Sequence, residues 1–585
     1  MWIQNYDPLG HIGLSALLAA LPILFLAWAL GIKRMKGYIA GFWTLVITIL
    51  ITIIVYKMPV RLSLLAVVNG MLYGLFPICW IVITALFLYN LTVKTGQFEI
   101  IKDSIANITN DRRLQALLIA FSFGAFLEGA AGFGAPVAIT AAMLVGLGFN
   151  PLYAAILCLI ANTSPVAFGA LGIPIIVGGQ VSGIDAMAIS QMVGRQLPFL
   201  SVIIPAFLVM IMSGFRGLVE VMPAVIVCGV SFALAQWFSS NYLNPMLPDI
   251  LSAFVSIICL VIFLKVWRPK TIWRFQNDQH SETSIKKHSS GEVFKAWTPF
   301  ILLTLLIGNW GLKPVNSLLE VLSFKFPVYG LHRSIAPPDT LIPMDAVFNL
   351  NWLSAGGTAI LIATIVSAFI LKVNIAELWV IFRDTLKNFK FALLTVTLVL
   401  GFAYLANYSG LSKTLGLALT YMGSAYAFIA PFIGWIGVFI TGSDTSSNAL
   451  FGKLQAVTAE NLGINPALTV ASNSSGAVAA KMISPQSIAV ATASVGLVGQ
   501  EGELFRRTIA YSIGFGGFIG VISYIQAHYL QWMIPVCEMA EKDIVKTAVN
   551  AGPGLAILGF TIVIIAIIAY LNRAKEKPVI DLYVK

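Results

Sequence analysis

The tightest constraint on this chain is residues 121–176, an apolar run that cannot be a plain membrane helix. Glu128 stands in it with no basic neighbour in sequence, glycine recurs at Gly124, Gly129, Gly132 and Gly134, and Pro136 follows. The polar cluster Asn162-Thr163-Ser164-Pro165 interrupts a second apolar run. Irregular backbone is tolerated at membrane depth only where protein or a watery cavity covers it. A lone carboxylate there costs roughly 2.5–3.5 kcal/mol on insertion scales, so its default reading is functional.

A second stretch, from Gly437, matches the first. Gly124-Ala-Phe-Leu-Glu-Gly129 aligns with Gly437-Val-Phe-Ile-Thr-Gly442, Asn150-Pro151 with Asn465-Pro466, Asn162-Thr-Ser with Asn473-Ser-Ser, and Pro174 with Pro485. Upstream, Thr95-Gly96 aligns with Ser409-Gly410. The register is nearly constant (437 − 124 = 313, 473 − 162 = 311, 410 − 96 = 314), which reads as an internal duplication. Gly/Pro-interrupted apolar segments at matching places in two halves are the best sequence pointer to a transporter's binding site.

The chain is 585 residues long, 58% hydrophobic and only 10% charged. That balance excludes a soluble globular domain and reads as a polytopic membrane protein of about 12–14 spans. The net charge of +11 does not point to nucleic acid, because the basic residues lie between apolar runs, where they mark cytoplasmic loops. Such loops carry Lys33, Arg34 and Lys36; Lys94, Lys102, Arg112 and Arg113; Arg268 to Lys295; Arg383 to Lys390; Arg506 and Arg507; and Arg573 to Lys577. This places the N-terminus outside and the C-terminus in the cytoplasm. The first span, about 12–30, lacks a preceding basic region and cleavage site and is expected to be retained. Residues 311–350 read as an external loop. Ile100, Ile101, Ile105 and Ile108 fall at helical spacing and predict an interfacial amphipathic helix.

The two repeats then enter from opposite sides, since the segment before the first is cytoplasmic and the one before the second external. Inverted-topology repeats follow, with boundaries at 1–90 (scaffold spans), 91–195 (first repeat core, a hairpin and a broken helix), 196–390 (connecting spans), 391–507 (second, inverted core) and 508–585 (C-terminal spans and tail).

The polar clusters carry the candidate chemistry. Asn162-Thr163-Ser164-Pro165 reads as a helix start, with serine as cap and proline in the first turn, and Asn473-Ser474-Ser475-Gly476 as its partner. Gly442-Ser443-Asp444-Thr445-Ser446-Ser447-Asn448 faces the Gly129–Pro136 segment, including Gly132, in the alignment. Free N–H groups at helix starts attract anions, which suits a small carboxylate. The alternative is close helix packing through small residues. Glu128 and Asp444 are candidate proton carriers, with Asp444 favoured slightly, and Lys481 is a candidate partner for a substrate carboxylate or for Asp444. Lys453 is a weaker candidate, long enough to snorkel to an interface, and Arg195 reads as a loop or interfacial arginine, with a substrate role as the alternative. The five cysteines (Cys79, Cys158, Cys228, Cys259, Cys537) form no CxxC pair and read as small hydrophobes. No metal or cofactor motif, HExxH or P-loop is present, and the glycines at 129–134 lack dinucleotide-binding spacing, so no enzyme activity and no ATP-driven pumping are expected.

The run from Gly124 to Pro136, together with Asn162-Thr-Ser-Pro165, Thr441-Gly-Ser-Asp-Thr-Ser-Ser-Asn448 and Lys481-Met-Ile-Ser-Pro-Gln486-Ser487, resembles the bacterial L-lactate permease family. Gln4-Asn-Tyr-Asp-Pro8 and Lys94-Thr-Gly-Gln-Phe98 resemble it as well. The resemblance implies an all-α polytopic transporter with inverted repeats and re-entrant helical hairpins, moving as an elevator in the cytoplasmic membrane. It implies symport of L-lactate, and of D-lactate or glycolate, with protons. The remaining alternative is a sodium-coupled or exchange transporter for another small carboxylate.

Overall fold

The computed structural model describes every residue except 133, 276–285, 537–550 and 574–585. Cys537, the expected external loop through Lys546 and the basic tail with Lys575 and Lys577 lie outside the described residues. Long apolar runs have no water to satisfy their peptide groups, so they close their hydrogen bonds internally as helices. Among the described residues eleven helices are long and apolar enough to cross a membrane, twelve if the bent pair Pro151–Ala161 and Val166–Ser182 counts as one span. The sequence count of 12–14 is higher because it read two spans within Leu197–Tyr242, which counts once among the eleven. At 1.5 Å per residue its 46 residues amount to about 69 Å of helix, more than twice a hydrocarbon core. Gly214, at φ 68°, breaks it into the two expected pieces.

The described residues are mostly helical, with two small two-stranded sheets among them that the sequence reading did not anticipate. Phe324–Pro327 pairs antiparallel with Val347–Leu350, and Trp2–Ile3 pairs parallel with Ile335–Ala336. The second pairing puts the N-terminal segment on the same face as the 311–350 loop. Gln4 Nε2 then donates to the carbonyls of Asn407 and Tyr408, at 3.0 and 2.8 Å. On another surface the segment before the first hairpin meets residues 271–273. Arg113 is fully buried there and donates to Asp111, Glu220 and the carbonyls of Gly217 and Thr271. The predicted amphipathic helix is Gln97–Ala106, with Phe98, Ile101 and Ile105 buried and Lys102 paired to Glu99 on the outer side.

The duplication is visible in local geometry. Gly96 and Gly410, at φ 73° and 86°, both turn the chain into a short helix, Gln97–Ala106 and Leu411–Leu419. Asn150 and Asn465 both cap a helix whose first residue is proline, accepting from the N–H groups of Leu152 and Ala467 at 2.9 Å. Before Gly96 and Gly410 come the helical stretch Val60–Lys94, broken at Phe76, and the helix Ile375–Ser409. They cross at Gly70 and Gly74, where a Cβ on Gly74 would lie 2.8 Å from the Thr397 Cα and one on Gly70 2.9 Å from the Gly401 Cα. Small residues four apart let two backbones approach this closely.

Each half supplies a hairpin and a broken helix. The first hairpin is Arg112–Ala130 and Ala135–Gly146, turned at Gly132 and Gly134 (φ 58° and 84°). The second is Tyr426–Thr441 and Asp444–Leu462, turned at Gly442 (φ 71°). The first broken helix is Pro151–Ala161 with Val166–Ser182, bent by 66°. The second is Pro466–Lys481 with Pro485–Ser494. The returning arms pack on their own half and also reach across to the other. Ala135–Gly146 packs on Pro485–Ser494, and Asp444–Leu462 packs on Val166–Ser182. Cys79, Cys158 and Cys228 are buried free thiols and Cys259 is partly buried.

Two stability outcomes follow from these contacts. Gly70→Ala inserts a methyl against the backbone of 400–401 and should destabilise by about 1–3 kcal/mol. Gly514→Ala, where a Cβ meets nothing within 4 Å, should not. Arg113→Ala strands Asp111, which is 1% exposed, and should cost about 3–5 kcal/mol. Thermal unfolding of the detergent-solubilised protein reads both.

Candidate functional site

Second-hairpin geometry begins with a cap. Gly442 reverses the chain, and the Ser443 hydroxyl accepts from the Ser446 N–H at 3.2 Å, starting the returning arm at Asp444. Asp444 Oδ2 accepts from the Ser474 hydroxyl at 2.6 Å. Asn448, one turn on, donates to Ser474 at 3.2 Å and to the Pro174 carbonyl at 3.0 Å, so one amide links both halves. Asn473 donates to Asn448 Oδ1 at 2.9 Å and accepts from Gln455, which in turn accepts from the Tyr426 hydroxyl at 2.6 Å. Lys481 donates to the Gly442 carbonyl at 2.7 Å and acts electrostatically on both Asp444 and Glu128.

The first half meets this cluster through Glu128. Its carboxylate lies on Gly169, where a Cβ would stand 2.6 Å from Oε1, and beside Asn162. Gly129 next to it packs on Asp249, where an added Cβ would stand 2.7 Å from the Asp249 Cβ. Glu128, Asp249, Asp444 and Lys481 are 4, 1, 3 and 8% exposed, so three carboxylates and one ammonium are buried together. Several polar atoms here have no partner among the described residues: Glu128 Oε2, Asp444 Oδ1, both Asp249 oxygens, and the hydroxyls of Thr163, Ser164 and Ser475. Buried polar groups are nearly always paired, so a cluster of exceptions marks a place where something polar binds.

The broken helices differ from the sequence expectation. Residues 162–165 form a turn, Val166–Phe168 a 3₁₀ segment, and Ala170, Leu171 and Gly172 are left-handed at φ 46°, 59° and 67°. Ser164 is therefore no cap; its carbonyl accepts from Gln236 at 3.2 Å. Left-handed backbone costs a non-glycine residue roughly 1–2 kcal/mol, and two such residues in succession beside Glu128 mark strain at the site. Asn473-Ser474-Ser475-Gly476 is not a helix start either. It lies inside the continuous helix Pro466–Lys481, with Asn473 and Ser474 bonded to neighbouring helices and Gly476 pressed on the Pro431 backbone. The break comes later, where the Ser484 hydroxyl caps Pro485–Ser494 by accepting from the Ser487 N–H at 3.2 Å. Pro174 and Pro485 thus both stand where helix resumes after a break.

The structure brings Glu128, Asn162, Asp444, Asn448, Asn473, Ser474 and Lys481 together. The 3₁₀ segment after Asn162 packs on Pro466–Lys481, so the two crossings adjoin. Gly132 packs on Ala170, and Gln486 is exposed and packs on Gly442 at the hairpin turn. Ser446 contributes its backbone N–H, and Thr445 is half-buried. Lys453 donates to the Ser182 carbonyl at 3.1 Å, where a cation favours a helix C-terminus. Arg195 bonds Asn241 and the Met533 carbonyl, away from these residues. Sequence reasoning missed Gln455, Tyr426 and Asp249. Asp249 had a signal, a carboxylate at the mouth of an apolar run in Leu247-Pro248-Asp249, but reads as loop without its neighbour Gly129.

The chain is similar in sequence to proteins of one known family. The L-lactate permease family pattern matches residues 15–530. The L-lactate permease of Bacillus subtilis (strain 168) is 54% identical over 562 residues, covering 91% of this chain and 100% of that protein. The L-lactate permease of Escherichia coli (strain K12) is 52% identical over 549 residues, covering 92% and 100%. The glycolate permease GlcA of Escherichia coli (strain K12) is 52% identical over 557 residues, covering 91% and 99%. This multi-pass membrane protein belongs to the L-lactate permease family.

Proposed function

We propose that the protein imports L-lactate, with D-lactate and glycolate as further cargo, by symport with protons across the cytoplasmic membrane. The observation that carries this reading is the buried cluster of three carboxylates and one ammonium, ringed by amide and unpaired hydroxyl groups. The relatives' names supply the substrate class, lactate and glycolate.

In this reading the Lys481 ammonium pairs the lactate carboxylate. The helix starts at Ser443 and Ser484 add partial positive charge. Asn162, Thr163, Ser164, Ser474 and Ser475 offer hydrogen bonds to the carboxylate and the 2-hydroxyl, and Asn448 and Asn473 hold the two halves in register around it. Gly132, Thr445, Ser446 and Gln486 shape the hairpin turns. Lactate is an anion, and the membrane potential opposes its entry by roughly 2.3 kcal/mol per charge per 100 mV. One proton carried with it cancels that charge, and Glu128 and Asp444 are the first candidates to hold it.

The hairpins and broken helices of 91–195 and 391–507 are the moving body in this proposal. The frame is 1–90, 196–390 and 508–585, and the motion is elevator-like. The hairpin arms that reach across support it, because they bind the two cores to each other. The N-terminus lies outside and the C-terminus inside.

Purified protein in liposomes should accumulate labelled L-lactate under an imposed pH gradient, and a sodium gradient alone should drive none. Accumulation that follows sodium and ignores pH would transfer the reading to a sodium-coupled carboxylate carrier. Lys481→Gln should weaken lactate binding by about 1.5–3 kcal/mol, the worth of a hydrogen bond to a charged group. Equilibrium binding to the solubilised variant measures it, and wild-type affinity would remove Lys481 from the cradle.

A further inference from the structure

Glu128 has a second carboxylate beside it. Asp249 opens the helix Pro248–Val266, which belongs to neither hairpin nor broken helix. That helix packs on the end of Arg112–Ala130 that carries Glu128, and Gly129 has no side chain because Asp249 occupies its place. The two carboxylates interact electrostatically, and both Asp249 oxygens and Glu128 Oε2 lack a partner among the described residues. Asn162 lies against Glu128 at 3% exposure and acts on its carboxylate as a hydrogen-bonding neighbour. A buried amide and three unpaired carboxylate oxygens share one place.

Charge decides what that place holds. Lys481 is bound to the second hairpin at Gly442, and Asp444 already receives the Ser474 hydroxyl. Glu128 faces Asp249 and Lys481, with Asp444 beyond. Glu128 is the charged group that faces Asp249 among the described residues. Arg113 and Glu220 lie by Thr271, past the other end of Pro248–Val266, about 28 Å away along a helix of this length. With one ammonium for three carboxylates, full ionisation leaves uncompensated buried charge, which proteins do not tolerate.

We propose that Glu128 and Asp249 together form the proton-carrying site, separate from the Lys481–Asp444 cradle that takes the lactate carboxylate. One proton from the outer water binds this carboxyl pair, crosses with one lactate anion and leaves to the inner water. No covalent bond of lactate changes. Asp444 keeps its charge against Lys481 until the substrate carboxylate competes for the ammonium. The inference rests on the proton-symport reading above.

The test uses the full chain in liposomes, with wild type, Asp249→Asn, Asp249→Glu and Glu128→Gln. At one proton per lactate, a gradient of one pH unit supports about tenfold accumulation in the wild type. Asp249→Asn and Glu128→Gln should each accumulate almost nothing and lose lactate-induced proton uptake, read with a trapped pH dye. Counterflow of labelled lactate, which needs no net proton movement, should remain measurable. Asp249→Glu restores a carboxyl and should regain accumulation. Wild-type accumulation by Asp249→Asn overturns the inference, as does loss of counterflow together with accumulation in a variant that still unfolds cooperatively. Should Asp249→Asn fail to fold, Asp249→Glu and Glu128→Gln decide by the same criteria. A wild type that moves lactate without protons defeats the symport reading itself, a result distinct from a coupled wild type with coupled variants.

Discussion

The structure depends on keeping buried charge compensated where water is scarce. A carboxylate removed from water needs a cation, a proton or several hydrogen bonds, or the fold that buries it pays heavily. Here Lys481 is the ammonium among three carboxylates, and it is fixed by the Gly442 carbonyl at a hairpin turn. That turn exists because glycine accepts φ 71°, and the next residue, Ser443, caps the helix that carries Asp444. A single backbone reversal therefore positions the ammonium and one carboxylate. The other two, Glu128 and Asp249, meet because Gly129 leaves room for Asp249.

The same constraint accounts for the reach of each arm across to the other repeat. Neither half buries a full complement of polar groups alone. Asn448 of the second hairpin finds the Pro174 carbonyl of the first broken helix. Lys453 finds the Ser182 carbonyl at the end of that same helix. Interhelical hydrogen bonds of this type are individually modest in membrane proteins, about 0.6 kcal/mol on average. Their number across one interface still ties the two cores, while Gly70, Gly74 and Gly401 let the long helices cross in close contact.

Much of the site was legible in the sequence because special backbone leaves residue-type marks. Glycine at left-handed turns, proline in the first turn and asparagine as a cap are local requirements. Their repetition at a near-constant offset exposed the duplication, and Gly96/Gly410 and Asn150/Asn465 have matching geometry in the structure. The Asn473-Ser474-Ser475-Gly476 cluster misled because its composition suits both a helix start and a packing face. The helix runs on since its amide and hydroxyl groups find partners on adjacent helices, which no local rule encodes. The short strands at 324–327 and 347–350 escaped notice because four residues carry too little periodicity.

By itself the sequence determined the membrane environment, the helical class, the duplication and the identity of the turns. Each of these follows from hydropathy or from the φ preference of single residues, and such properties act over a few neighbours. Only the tertiary structure decided which polar groups meet. Asp249 lies 120 positions after Gly129 and touches it; Ser474 lies 30 after Asp444 and donates to it. Those pairings depend on how helices from separate parts of the chain cross, and crossing is set by the summed packing of the whole fold, which no stretch of chain contains alone.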